Sequence, residues 1–393
     1  MKTIRELDIE GKKVLIRVDF NVPMDAEGNI TDDIRIRMVL PTIRYAMENK
    51  AKVILCSHMG RPKGKTVPEL SLAPVAKALS TILDQKVGQA PDCIGSETEE
   101  LVRQMQDGEI LLLENLRYHA EEQANDREFA RQLASLADVY INDAFAGSHR
   151  AHASIVGVPE NCRVKAAGFL LEKEMEYFHK SMDEPVRPLV AIVGGAKVSS
   201  KLGALENMLD KVDRMLIGGA MANTFLKSKG LEVGISKVEN DLLETAAQFL
   251  VQASEKGVKI SLPVDVVVAK EFAADSESKI VSIGDIPADW MALDIGPETV
   301  RQFAGALGDA KTIIWNGPMG AFEMDAFASG TMDLARVIAS SAALSITGGG
   351  DSNAAVKKSG EAEKISYMST GGGAFLMLME GKTLPGVDAL DLE

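Results

Sequence analysis

Three cysteines in 393 residues, Cys56, Cys93 and Cys162, are too few and too widely spaced to staple a secreted domain or to form a zinc knuckle. Their odd number fits reduced thiols, and no chemistry is assigned to them. Basic residues are also short: 43 against 57 acidic ones, a net charge of −14. That deficit argues against nucleic acid or an anionic membrane as the main partner, so any anion site must be local. No apolar run is long enough to span a bilayer, and residues 1–10 lack the apolar heart of a signal peptide. The chain is therefore expected in the cytoplasm.

Familiar catalytic motifs are missing too. GRPKGKT (residues 60–66) has only three residues between its glycines where a phosphate loop needs four, and Pro68 hinders the helix that should follow. Asp19-Phe20-Asn21 lacks the glycine of the protein-kinase metal motif, and no His-Arg-Asp catalytic loop occurs. A Gly-x-Gly-x-x-Gly pattern is absent from residues 193–203, which removes the main support for a nicotinamide-dependent dehydrogenase, the strongest rival enzyme. Neither a Ser-His-Asp nor a Cys-His signature is visible.

What is present is alternation. At 393 residues the chain exceeds the size of a single core, and its 46% apolar content is that of a globular protein. Strands are expected at residues 13–20, 52–57, 110–113 and 139–142, with helices at 34–49, 72–83, 97–105 and 126–136. This order predicts a mainly parallel sheet with helices on both faces. Residues 170–182 (LLEKEMEYFHKSM) read as a charged helix stopped by Pro185 and Pro188, and they serve as the connection between domains. Beyond it the plan repeats, with strands near Leu189, Met215, Val266, Thr312, Leu344 and Ile365. The fold class is α/β, two doubly wound lobes joined by an interdomain helix. The expected domains are residues 1–169, the hinge 170–185, and residues 186–393. The acidic tail, residues 386–393, either frays or docks.

Residues 189–226 organise the second lobe: strand, glycine turn, helix, strand, glycine turn. Ser199 and Ser200 are expected to cap the helix, which would send Lys197 and Lys201 from one helical face toward an anion. Similar glycine turns return in ITGGGDS (residues 346–352) and YMSTGGGAF (residues 367–375). WNGPMGAFE (residues 315–323) places Asn316 in a turn and Glu323 where a ribose could be bound. Asp351 can cap a helix or anchor Mg²⁺. In the first lobe, residues just after successive strands are Asp19 and Asn21, His58 and Arg61, Arg117, and His149 and Arg150, with Arg35 opening the first helix. Ligands of parallel sheets bind beyond the strands' carboxyl ends, and arginine forks suit carboxylate and phosphate oxygens. Two lobes with two anionic ligands point to phosphoryl transfer, which needs placement and charge stabilisation more than a protein nucleophile.

RVDFNVP (residues 17–23), SHMGRP (57–62), ENLRYH (114–119), GGAKVSSK (194–201), WNGPMGAFE (315–323), GGGDS (348–352) and STGGGA (369–374) together resemble the phosphoglycerate kinase family, in its order and across essentially the whole chain. The resemblance implies reversible phosphoryl transfer from 1,3-bisphosphoglycerate to ADP, giving 3-phosphoglycerate and Mg-ATP, by direct in-line transfer after domain closure. It implies that Asp19, Asn21, Arg35, His58, Arg61, Arg117 and Arg150 hold the glycerate ligand. Arg35, Lys197, Gly350 and Gly372 would meet the transferred group, with Gly371 to Gly373 offering helix N–H groups. Lys201, Asn316, Glu323, Gly349, Gly350, Asp351 and Ser352 would hold the nucleotide, Asp351 its Mg²⁺. Ser352 stands where threonine is frequent in the family. A monomer is expected, its C-terminal tail returning to the first lobe. A protein that keeps the fold only to bind metabolites is disfavoured by intact Lys197, Arg35 and Asp351.

Overall fold

The structure is a computed structural model that describes residues 1–391; the last two residues of the acidic tail lie outside the described residues. The chain divides into two compact units, Met1–Met175 together with the stretch from Thr383, and Glu176–Lys382. The passage from one to the other falls inside the helix Phe169–Phe178, which runs on into a π-helical turn, His179–Asp183.

The first unit is built on β1 (Lys13–Arg17), β2 (Lys52–Cys56), β3 (Val87–Gln89), β4 (Ile110–Leu112), β5 (Val139–Asn142) and β6 (Lys165–Ala167), in the order β3-β4-β2-β1-β5-β6. All their pairings are parallel. Central strands of such a sheet are covered on both faces and so read as apolar runs: Val14, Leu15 and Ile16 of β1 and Val53, Ile54 and Leu55 of β2 are all fully buried. The helix Ile34–Glu48 packs Ile36, Val39 and Ile43 into the same core, at helical spacing. The strands β3 and β6 escaped the sequence reading because each is three residues long with little alternation. The C-terminal helix Pro385–Asp391 belongs to this unit: Gly386 N donates to Ser148 O at 2.9 Å, and Asn142 Nδ2 donates to Gly386 O at 3.1 Å.

The second unit holds β7 (Leu189–Val193), β8 (Arg214–Ile217), β9 (Lys259–Ser261), β10 (Asp265–Ala269), β11 (Ser278–Ser282), β12 (Met291–Ile295), β13 (Thr312–Asn316), β14 (Leu344–Gly348) and β15 (Tyr367–Met368). Six of them form a second all-parallel sheet, β15-β14-β13-β7-β8-β9. The strand expected near Val266 is displaced from this plan. As β10 it lies between β11 and β12 in a separate antiparallel ribbon. Short connections favour this pairing, since antiparallel neighbours need no crossover helix.

Candidate active site

The strand order of the first unit brings its predicted residues together. The loops after β4, β2, β1 and β5 are consecutive along the carboxyl edge of the sheet, and they carry Arg117, His58 with Arg61, Asp19 with Asn21, and His149 with Arg150. Hydrogen bonds tie these loops to one another. Gly60 N donates to Asn21 Oδ1 at 2.9 Å, Arg117 Nη1 donates to Gly60 O at 2.8 Å, and Phe20 N donates to Ser57 Oγ at 2.8 Å. Asn115, 0% exposed, accepts from Met59 N and donates back to Met59 O, locking the loop that follows β2. Arg35 enters from the helix Ile34–Glu48 and donates to Asp19 Oδ2 at 2.7 Å. Arg61 and Arg150 are exposed, whereas His58 and Arg117 are buried.

Cations crowd this edge. Burial, then the charges of Arg150 and Arg17, lower Arg117 to about 10, so it remains charged at neutral pH in an unfavourable setting. Burial and the nearby arginines likewise push His152 down to about 4 and hold His149 below its ordinary value. Arg117 Nε is buried and has no hydrogen-bond partner among the described residues. Buried donors without partners are rare, and a negatively charged ligand would satisfy both the charge and the donor. Arg17 and His152 were not found as site residues from sequence. Arg17 reads as the polar end of a strand, yet it is only 1% exposed.

The second unit repeats the geometry with different chemistry. The loops after β14, β13, β7 and β8 are again consecutive, and each is rich in glycine. They interlock through their backbones: Gly194 N donates to Asn316 O, Gly195 N to Pro318 O, and Gly219 N to Met319 O, each at 3.0 Å. A Cβ on Gly194 would lie 2.1 Å from Pro318 O. Gly317 is left-handed at φ +94°, and a Cβ there would lie 2.5 Å from Lys201 Nζ. Glycine is thus required for these loops to approach one another.

Lys201 reaches back under the β7 turn and donates to Gly194 O at 2.6 Å and Asn316 O at 2.9 Å. Burial lowers it to about 8, opposed by the charge of Asp351. The helix after this turn starts later than the sequence suggested, at Leu202, and no side chain caps it. Ser199 and Ser200 are therefore not its caps. Ser199 Oγ donates to Glu239 at 2.5 Å and Ser200 Oγ to Lys197 O at 2.9 Å, which stabilises a turn in place of a first helical turn. Lys197 and Lys201 consequently do not leave one helical face; Lys197 is exposed on the turn and Lys201 half-buried beneath it.

Two of the expected nucleotide residues have their side chains engaged in the scaffold. Asn316 Nδ2 donates to Gly348 O at 2.7 Å. Ser352, 1% exposed, accepts from Gly317 N at 2.6 Å and donates to Gly348 O at 2.9 Å. Asp351 does not cap the helix Gly350–Ser359; Gly349 holds that position, and the Asp351 carboxylate lies exposed in the first turn. The helix Gly372–Met379 begins close by, since a Cβ on Gly372 would lie 3.1 Å from the Gly349 Cα.

Beside these loops is a cavity of about 330 Å³ floored by Gly195 and Gly219, walled by Phe272, Met291, Leu293 and Pro318, and lined also by Glu323 and Asp351. An apolar lining beside glycine-rich turns is suited to a ligand that joins an apolar ring to anionic groups. Its wall residues come largely from the antiparallel ribbon and the segments around it, and single apolar letters gave no hint of them. Asp294, also in the lining, is 4% exposed and accepts from Gly330 N at 2.7 Å; burial raises it to about 7.

Two parallel sheets, one edged with arginines and the other with glycine turns and lysine, characterise a phosphotransferase of the α/β class. The model of the family described as phosphoglycerate kinase matches residues 4–382. A phosphoglycerate kinase of Desulfotalea psychrophila is 67% identical over 391 residues, covering 100% of both chains, and one of Geobacter metallireducens is 57% identical over 98% of this chain and 96% of its own. Among solved structures, phosphoglycerate kinase from Coxiella burnetii superposes with a TM-score of 0.91 at 44% identity, covering 99% of this chain and 98% of its own. The chain belongs to the phosphoglycerate kinase family. It is a kinase, and its reaction is the glycolytic phosphoryl transfer of that family.

Proposed function

We propose that the first unit binds 3-phosphoglycerate or 1,3-bisphosphoglycerate, that the second binds ADP or ATP as its magnesium complex, and that the phosphoryl group passes directly between them. The observation that carries this reading is the crowding of Arg35, Arg117 and Arg150 onto one sheet edge of a chain whose net charge is −14, with a buried Arg117 donor left for a ligand. Asp19, Asn21, His58 and Arg61 share that edge and complete the glycerate site. Glu323 takes the ribose, while Lys201 and the amides of Gly349 and Gly350 hold the nucleotide phosphates. Asn316 and Ser352 act through the loops they brace.

Magnesium prefers oxygen ligands and keeps several waters, so one carboxylate besides the substrate phosphates suffices, and exposed Asp351 beside the glycine turn meets that need. Bound there, the ion neutralises phosphate charge. In the ATP-forming direction an oxygen of the ADP β-phosphate forms a bond to the phosphorus at position 1 of the bisphosphoglycerate as the bond to the acyl oxygen breaks, leaving a carboxylate. Lys197, Arg35 and the first-turn amides at Gly350 and Gly372 stabilise the equatorial oxygens between donor and acceptor. Water would hydrolyse the acyl phosphate, so a conformational step that unites the bound ligands and excludes water precedes chemistry. Small-angle scattering without compaction when both ligands are present would count against that step.

Each site is assembled within one chain, which supports a monomer, and the glycolytic reaction of the family supports a cytoplasmic setting. A coupled assay with 3-phosphoglycerate and ATP tests the whole reading: turnover is expected with Mg²⁺ and lost with a chelator. Tight NAD binding without ADP affinity would overturn it.

A further inference from the structure

Arg17 ends β1 and is 1% exposed, and its guanidinium is engaged on three sides. Its Nε donates to Ser154 Oγ at 2.8 Å, its Nη1 donates to Val18 O, and its Nη2 lies 3.2 Å from His58 Nδ1. The group is fixed from behind. Ser154 Oγ donates to Glu122 Oε1 at 2.6 Å and Ser154 N donates to Glu122 Oε2 at 2.9 Å, with Glu122 itself 0% exposed. A buried carboxylate thus balances the buried guanidinium through one hydroxyl.

Arginine has five N–H donors, no acceptor, and stays protonated in proteins. Its contact with His58 Nδ1 is therefore a hydrogen bond only if Nδ1 is the acceptor and carries no proton. A neutral imidazole then has its proton on Nε2. Protonating Nδ1 would set an N–H against the guanidinium and forfeit the bond. The other charges around the ring push the same way. Burial, then Arg17, Arg117, His152 and Arg35, hold His58 well below 6.5, and the carboxylate that faces it among the described residues, Asp19 Oδ1, is 4.0 Å from Nδ1, beyond hydrogen-bond reach.

We infer that Arg17 is a positioning residue that holds His58 in one neutral tautomer, so that the ring presents a single Nε2–H donor to the anionic ligand and never serves as a cation. This rests on the reading that His58 contacts the glycerate ligand. It separates two kinds of recognition on this edge: arginines supply charge, and His58 supplies a fixed, pH-independent hydrogen bond whose direction Arg17 sets.

The test is ¹⁵N NMR of the full chain labelled at histidine, with His58→Gln assigning the resonance. The expected result is an unprotonated Nδ1 and a protonated Nε2 for His58, unchanged from pH 5.5 to 8. A protonated Nδ1, or a His58 titration within that range, would overturn the inference, and this readout needs no Arg17 variant to fold. In Arg17→Met, checked for folding by circular dichroism, His58 should begin to titrate or to mix tautomers. The KM for 3-phosphoglycerate should rise by about tenfold and become pH-dependent, with the KM for ATP unchanged. If His58→Gln leaves the KM for 3-phosphoglycerate unaltered, the glycerate-site reading fails for His58, whereas a wrong tautomer in the parent chain fails the inference about Arg17.

Discussion

Lys201 Nζ donates to the main-chain carbonyl of Asn316 at 2.9 Å, joining the turn after β7 to the end of β13 with a charge that burial has lowered to about 8. Below that pH the lysine is protonated in folded and unfolded chains alike, so the fold bears the cost of a buried charge. Between about 8 and its ordinary value the folded chain releases the proton first, and stability rises with pH on this account. Phosphate oxygens should reverse the preference and draw the proton back. ADP binding at pH 8.5 is therefore expected to take up protons, measured by calorimetry in two buffers of different ionisation enthalpy, and affinity should fall as pH rises through about 8. Lys201→Met should abolish the uptake. Equal heats in both buffers for the unaltered chain would refute this.

Lys197 lies exposed on the turn beside it, free of the carbonyl contacts that bind Lys201. Its charge is assigned to the transition state, so Lys197→Ala should lower kcat by about a hundredfold to a thousandfold while leaving ADP affinity nearly intact. A parallel loss of affinity would make Lys197 a phosphate tether.

Arg61 is exposed on the loop after β2, so replacing it spares the core. Arg61→Ala should raise the KM for 3-phosphoglycerate by roughly tenfold to a hundredfold, through a lost charge-assisted hydrogen bond, with the melting temperature unchanged. An unchanged KM would remove Arg61 from the site.

These residues differ in how far their letters revealed them. Arg61, Arg117 and His58 follow apolar strand runs, so a period-two or continuous apolar pattern locates the sheet edge and the polar residues that adorn it. Strands β1, β2, β5 and β7 were legible for the same reason. Ser199 and Ser200 misled because serine before a helix suits a cap, but Glu239, distant in sequence, competes for the Ser199 hydroxyl. Phe272, Met291 and Leu293 were invisible as pocket walls, since an apolar residue looks the same whether it faces a core or a ligand. Arg17 was hidden by the opposite expectation, that arginine lies in solvent.

Asp143, just beyond β5, accepts from Leu170 N at 2.8 Å and Leu171 N at 3.2 Å, and burial raises it to about 7 despite those bonds. Well below pH 3.8, the ordinary value, the carboxyl is protonated whether the chain is folded or not. As pH rises toward 7 the unfolded chain releases the proton while the folded one keeps it, so stability is lost across that window. Asp143→Asn should remove this loss, and its melting temperature relative to the parent should shift in its favour by several degrees, on the order of a few kcal/mol, between pH 4 and 8. Parallel melting curves across the range would contradict the assignment.

The division of labour between the units is tested most directly by titrating 3-phosphoglycerate and Mg-ADP separately into the unaltered chain, Arg61→Ala and Lys201→Met by calorimetry. The expected pattern is crossed: Arg61→Ala loses affinity for 3-phosphoglycerate alone, and Lys201→Met for Mg-ADP alone. Loss of 3-phosphoglycerate binding in a folded Lys201→Met chain, or of Mg-ADP binding in Arg61→Ala, would contradict it.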